Sequence, residues 1–163
     1  MSFDDLMEAN RRYAESFPHA DFDGIARAGV LMLTCMDSRI DPLDVIGLTH
    51  GDAKILRSPG GILSETMLQG CILGVHLLGV ERILVMPHTK CAMASGTDAN
   101  IRELITQRSG LDTTWVSFGA SPDQLTRLKA DVATLRNHPL LKDHVEVGGF
   151  MYDVDNGLLE QLL

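Results

Sequence analysis

Two kinds of apolar run alternate along this chain. The first is short and continuous: Gly29-Val30-Leu31-Met32-Leu33-Thr34 shows no polar alternation, as expected of a strand covered on both faces in a parallel sheet. Ala53 to Arg57 and Arg82 to Met86 read the same way, and His144 to Asp153 reads as a fourth strand with Gly148-Gly149 inside it. The second kind is spaced for a helix. Phe3, Leu6, Met7 and Tyr13 place an amphipathic helix over Phe3 to Phe17, with Ser2 as N-cap and Asp4 and Asp5 in the first turn. Asp41-Pro42 starts a short helix to about Gly47, Ser64-Glu65 opens one to about Leu78 that Gly79 stops, and another runs from about Asp98 to Arg108. Ser121-Pro122-Asp123 places an N-cap at Ser121 and Pro at the first helical position, predicting a helix over Ser121 to Asn137. Leu111 to Gly119 fits strand or loop, and Asn156-Gly157 predicts a hairpin turn into Leu158 to Leu162.

The order strand, helix, strand, helix, strand, helices, strand, hairpin predicts an α/β domain. Its sheet is mostly parallel and flanked by helices, with one antiparallel edge strand and an N-terminal helical arm. A chain of 163 residues makes a single domain over 1–163, in which residues 1–24 form the arm and a connector containing Pro18 and Gly24. The apolar stripe of the arm must pack on its own core or on a partner subunit.

Composition narrows the function by exclusion. A net charge of -8 without a Lys/Arg cluster argues against a nucleic-acid partner. Met67 to Val80, the longest largely apolar stretch, carries Gln69 and His76 and is too short to span a membrane. The opening Met1-Ser2-Phe3-Asp4-Asp5 has no basic region ahead of an apolar one, as a secretory signal needs. Three widely spaced cysteines do not resemble a disulfide framework and point to metal or thiol chemistry in a reducing compartment, so a cytoplasmic location is expected.

The candidate chemistry sits where strands end. Cys35 follows the first apolar run, His88 follows the third, and Cys91 lies three residues beyond His88. In open α/β sheets ligands bind beyond the carboxyl ends of the strands, so neighbouring first and third strands would bring the three side chains together. Two thiolates and an imidazole suit zinc, and three protein ligands leave a fourth tetrahedral position for water or substrate. Asp37 and Arg39 stand beside Cys35, the carboxylate able to accept a hydrogen bond at that position and the guanidinium able to hold it there.

Taken together, Cys35-x-Asp37-x-Arg39, Arg57-Ser58-Pro59-Gly60-Gly61 and His88-x-x-Cys91 resemble the β-class carbonic anhydrases, in particular their compact members. The resemblance implies Cys35, His88 and Cys91 as ligands of a Zn2+ ion and Asp37 with Arg39 as the catalytic dyad. It also implies reversible hydration of carbon dioxide to bicarbonate by a zinc-bound hydroxide. In some members the aspartate instead binds the metal and closes the site. The family builds its site at a dimer interface, which implies a homodimer or a tetramer of dimers with the arm of residues 2–17 on the partner. The chain departs from the family pattern at Ser58-Pro59, where Asn-x is usual, at Ala92, where Gly is usual, and at Lys90. No Gln precedes Gln69, although plant-type members use one near the substrate.

The chain is also similar to hydrolases of carbonyl sulfide and carbon disulfide, which keep the zinc site and alter its pocket, so these substrates are the alternative. A non-catalytic zinc-containing binding protein is the reading from a different class. Cys71 and His76 fall in the apolar helix, where Cys71 reads as a small core residue and His76 as a satisfied or partly exposed one, and the eight methionines read as packing. His50 is a candidate proton shuttle, whereas His19, His138 and His144 read as surface residues.

Overall fold

The computed structural model describes residues 2–163. Strands β1 (Val30–Cys35), β2 (Ala53–Ser58), β3 (Arg82–Met86), β4 (Glu146–Tyr152) and β5 (Leu159–Gln161) form one sheet in the order β2-β1-β3-β4-β5. The first four run parallel, and β5 closes the edge antiparallel to β4. β1 therefore has a parallel neighbour on each side, which explains its unbroken apolar sequence, and all six of its residues are buried. The sheet, its antiparallel edge strand and its flanking helices are those expected from the sequence.

Successive β1 side chains point to opposite faces and build two cores. Leu31 and Leu33 join Ile83, Val85 and Val147 beneath helices α3 (Glu65–Leu77) and α5 (Gln124–Asn137), where Cys71, Leu128, Val132 and Leu135 complete one cluster. Met32 joins Ile40, Met86 and Tyr152 on the other face, against partly buried Val45 of the short helix α2 (Pro42–Val45) and Phe150. Leu31, Met32 and Leu33 are fully buried. Each such side chain contributes about 1.5–3 kcal/mol by leaving water.

Helix ends differ in detail from expectation. α5 starts at Gln124 with Asp123 as N-cap, because its carboxylate accepts from both the Thr126 N–H (3.0 Å) and the Thr126 hydroxyl (2.6 Å). Ser121, the residue expected to cap, donates its N–H to Met93 O (2.8 Å) and so belongs to the preceding loop. α4 (Asp98–Ser109) carries a Thr97–Asn100 capping box. Leu111 to Gly119 is a loop, held by Asp98, whose carboxylate accepts from Phe118 N–H (2.9 Å), Ala120 N–H (2.6 Å) and the Ser117 hydroxyl (3.2 Å).

The arm helix α1 covers Asp4–Glu15, with Phe3 rather than Ser2 at its N-cap, and it buries none of its side chains on the chain's own core. Phe3, Leu6, Met7 and Tyr13 remain exposed. No helix among the described residues is long and apolar enough to cross a membrane.

Candidate metal centre

β1 and β3 pair in parallel with Thr34 opposite Met86, so the chain leaves both strands at the same end of the sheet. Cys35 is the last residue of β1, and His88, two residues past β3, forms a parallel bridge with Tyr152. The candidate ligand atoms of Cys35, His88 and Cys91 lie within 4.8 Å of one another, and all three residues are buried. The sulfurs are 4.0 Å apart and the cysteines are free, since a disulfide would need about 2.05 Å.

His88 shows most directly that the group suits a cation. Its Nδ1–H donates to Thr89 O at 2.8 Å, which fixes the tautomer and leaves a lone pair on Nε2. That nitrogen is buried and has no hydrogen-bond partner among the described residues. A buried acceptor without a partner is costly, and a metal beside two sulfurs satisfies it.

The thiols carry the matching electrostatics. The Cys35 thiol is pushed down to about 4, chiefly by Cys91, with further support from the Asp37 backbone and the Gly60 N–H. Gly60 N–H stands 3.3 Å from Cys35 Sγ. The Cys91 thiol is pushed far up, first by Cys35 and then by burial. Two thiolates this close ionise together only when a cation neutralises them.

Asp37 lies at the rim of this group. Its Oδ1 accepts from the backbone N–H and from Nε of Arg39, both at 2.9 Å, and its Oδ2 accepts from Arg39 Nη2 at 2.7 Å. These contacts hold the carboxyl well below the usual carboxylate range. Oδ2 also stands 3.8 Å from Nε2 of His88, so the carboxylate faces the ligand cluster while bound to Arg39.

A family model described as carbonic anhydrase matches residues 30–159, four fifths of the chain and every residue of the cluster. The chain belongs to the β-carbonic anhydrase family. It is 26% identical to Beta-carbonic anhydrase 1 of Mycobacterium tuberculosis, over 98% of this chain and 96% of that protein. It is 28% identical to a carbon disulfide hydrolase of Saccharolobus solfataricus, over 80% of this chain and 75% of that protein. The solved carbonic anhydrase from Streptococcus mutans superposes with a TM-score of 0.88 at 30% identity, covering 100% of this chain and 99% of that one. These relatives are enzymes.

Within this β-carbonic anhydrase fold, the Arg57–Gly61 segment supports the site, and the departures at Ser58, Lys90 and Ala92 have local explanations. Arg57, opposite Thr34 on β2, donates Nε to Cys35 O (2.8 Å) and Nη2 to Asp37 O (2.5 Å) and Ile40 O (3.3 Å). It thereby fixes the backbone that carries both side chains. Ser58 turns inward to donate its hydroxyl to Ile62 O (2.8 Å). Gly61 has φ 66, and a Cβ there would lie 3.2 Å from Cys35 N and 3.3 Å from Met86 O, so only glycine fits between the two strand ends.

Lys90 is the one non-glycine among the described residues with positive φ (54). That turn aims its carbonyl at Arg39 Nη2 (3.2 Å), while its ammonium pairs with Asp155 at 2.6 Å. Thr89 ties the same loop to the β4–β5 hairpin through its N–H to Tyr152 O (2.9 Å) and its hydroxyl to Asp153 (3.2 Å). Ala92 opens a short 3-10 turn without positive φ, so its methyl group causes no backbone strain.

Other sequence candidates fall elsewhere. His50 stacks on His19 (ring centroids 4.2 Å) in a pocket that includes Ala53, at the amino end of the strands and away from the cluster. Cys71 is fully buried and its thiol is pushed up to about 12 by burial, as a core residue. His76 Nε2 lies 2.7 Å from Leu140 O. One site neighbour has no signal in the sequence: Gln124 donates its side-chain amide to His88 O at 3.0 Å.

Proposed function

We propose that this chain catalyses the reversible hydration of carbon dioxide to bicarbonate at a zinc ion held by Cys35, His88 and Cys91. The observation that carries the reading is the capture of Asp37 by Arg39, which keeps the carboxylate beside the three ligands without making it a fourth. The donor set supports zinc: two thiolates on a tetrahedral zinc stand roughly 3.8 Å apart, and here the sulfurs are separated by 4.0 Å. Bound there, zinc would act as a Lewis acid that brings the pKa of water towards neutrality.

The protein's part is placement. Asp37, kept ionised by Arg39, accepts the hydrogen of the attacking oxygen and orients its lone pair towards the carbon. Arg57 holds the backbone of Cys35 and Asp37 so that ligand and acceptor keep one geometry. The Gly60–Gly61 turn, Val85, Pro87, Met93, Arg127 and Asp131 line a small recess of about 10 Å³ next to Cys91, room for the centre of about one water-sized molecule.

Hydrolysis of carbonyl sulfide or carbon disulfide is the second reading, supported by the carbon disulfide hydrolases among the relatives. Metal analysis of the purified protein, followed by stopped-flow carbon dioxide hydration against sulfide release from both sulfur compounds, separates the two. Sulfide release without hydration reverses the order, and a zinc-replete protein inactive on all three favours a non-catalytic zinc-binding protein. The exposed apolar stripe of α1 supports a homodimer, or a tetramer of dimers, with the arm on the partner. Two cysteines required as thiolates suit a reducing compartment, and the cytoplasm is the location we adopt.

A further inference from the structure

Helix α5 buries a carboxylate among its core-facing residues. Asp131 is 6% exposed beside Leu128, Val132 and Leu135, and Arg127 stands one helical turn before it on the same face. A carboxylate is costly there unless it is paired and hydrogen-bonded. Asp131 Oδ2 accepts the Leu63 N–H (3.0 Å), Oδ1 accepts Arg127 Nε (2.8 Å), and Arg127 Nη2 donates to Leu63 O (2.9 Å). One ion pair thus holds both backbone groups of one loop residue. Leu63 ends a segment that begins at Ser58, whose carbonyl accepts the Met36 N–H (3.2 Å) and whose hydroxyl donates to Ile62 O (2.8 Å). Between these two pins lie Gly60 and Gly61, at φ 77 and 66, and the Gly60 N–H donates to Cys35 Sγ at 3.3 Å. Glycine backbone is the least restrained of any residue, so the direction of that N–H is imposed from the flanks. The ion pair and the glycine turn wall the same small recess beside Cys91.

We propose that Arg127 and Asp131 are positioning residues for the metal centre: by clamping Leu63 they keep the Gly60 N–H on Cys35 Sγ, and so set the electron density that this sulfur offers a metal. The inference rests on the reading above of Cys35, His88 and Cys91 as metal ligands. A hydrogen bond to a thiolate draws electron density from it, as donors around metal-bound sulfurs generally do. Both residues act through the Gly60–Leu63 backbone, which separates this role from plain support of the fold. Other core residues of α5 stabilise the helix without fixing that N–H. Asparagine at position 131 has one acceptor oxygen, so it cannot serve the Leu63 N–H and Arg127 Nε together as the carboxylate does. Glutamine at position 127 loses both the charge and the guanidinium fork.

The test uses the full chain, isotope-labelled for NMR, as wild type, D131N, R127Q and V132A. The Gly60 amide proton is read on the protein as purified, so the measurement needs no turnover. In D131N and R127Q it moves upfield and exchanges with solvent at least about tenfold faster than in wild type. V132A controls for loss of stability alone. Val132 is 2% exposed in the α5 core, so its truncation lowers the urea midpoint but leaves the Gly60 resonance in place. The same chains loaded with cobalt(II) show thiolate-to-cobalt charge-transfer bands. These move to lower energy in D131N and R127Q, where the sulfur has lost its hydrogen bond, and stay in place in V132A. A Gly60 resonance at its wild-type position in both D131N and R127Q overturns the proposal, as does an equal displacement in V132A. Cobalt bands that stay in place while the Gly60 amide moves also overturn it. If D131N fails to fold, R127Q decides alone, since Arg127 is only half-buried. A wild type that takes up no cobalt defeats the ligand reading, while the Gly60 amide still judges the clamp.

Discussion

Arg39 grips Asp37 at both carboxylate oxygens, Nε on Oδ1 at 2.9 Å and Nη2 on Oδ2 at 2.7 Å, while Oδ2 lies 3.8 Å from Nε2 of His88. The guanidinium is itself braced by the Lys90 carbonyl (3.2 Å). A carboxylate this close to two thiols and an imidazole is one rotation from becoming a ligand, and the arginine fork decides against it.

Asp37→Asn therefore separates binding from catalysis. The candidate ligands Cys35, His88 and Cys91 are untouched, so the metal content should match that of wild type, but the amide cannot accept as a carboxylate does. The proposed hydration activity should fall by about 100-fold or more. Arg39→Ala frees the carboxylate to turn inward, and X-ray absorption on the zinc should show an added protein oxygen. Full activity in Arg39→Ala would show that the fork does not hold the site open.

Arg57 tests whether the backbone beneath the site matters as much as its side chains. Its guanidinium spans the carbonyls of Cys35, Asp37 and Ile40, which a single ammonium cannot reach together. Arg57→Lys lowers stability by about 1–2 kcal/mol, measured by urea denaturation. It should also reduce activity more than tenfold with zinc retained, because Cys35 and Asp37 no longer keep a common frame.

How much of this was legible depended on range. Cys35, Asp37, Arg39, His88 and Cys91 lie at short spacings after strand-like runs, and parallel neighbours β1 and β3 bring them together with no further information needed. Arg57 was visible as part of a motif, but its service to three carbonyls depends on the path of the loop after β1. Gln124 lies 36 residues beyond His88 and is joined to it by one hydrogen bond, so spacing carried no hint of it. The stretch from Leu111 to Gly119 stayed ambiguous for the same reason: Asp98, about 20 residues earlier, holds it as a loop. Ser121 yielded the cap to Asp123 because its hydroxyl turns to Asp123 O (3.4 Å), while the Asp123 carboxylate takes the Thr126 N–H.

Lys90 separates backbone strain from ion pairing. At φ 54 a side chain is disfavoured and glycine is not, whereas the pair with Asp155 is exposed and worth little. Both Lys90→Gly and Lys90→Ala delete the pair. The glycine variant should be more stable than the alanine variant by about 1 kcal/mol in thermal or urea unfolding. Equal stabilities would mean that the loop relaxes away from this conformation.

Asp98 makes the loop before α5 sensitive to acid. Its carboxyl is held low, first by the Ala120 N–H, so the folded value lies below the unfolded one of about 3.9. A depressed carboxylate contributes stability above the unfolded value and loses it as pH falls through the folded value. The anisotropy of Trp115, the chain's single tryptophan and an exposed residue of this loop, should hold from neutral pH to about 4 and fall below it. Asp98→Ala should show the low anisotropy already at neutral pH.

The arm is the last element to be explained, because among the described residues nothing buries its apolar stripe. Phe3, Leu6, Met7 and Tyr13 are exposed by 76%, 60%, 54% and 53%, a stripe that costs free energy unless a second surface takes it out of water. If a second copy does so, light scattering gives a dimer or a larger even-numbered assembly. Leu6→Ala with Tyr13→Ala removes two anchors, each worth about 1.5–3 kcal/mol when fully buried. The dissociation constant should rise by at least roughly 100-fold. The candidate ligands Cys35, His88 and Cys91 come from β1 and the loop after β3 and not from the arm, so metal content should be unchanged in the double variant. A wild-type monomer at micromolar concentration would remove the partner-subunit explanation and leave the stripe free for a different protein.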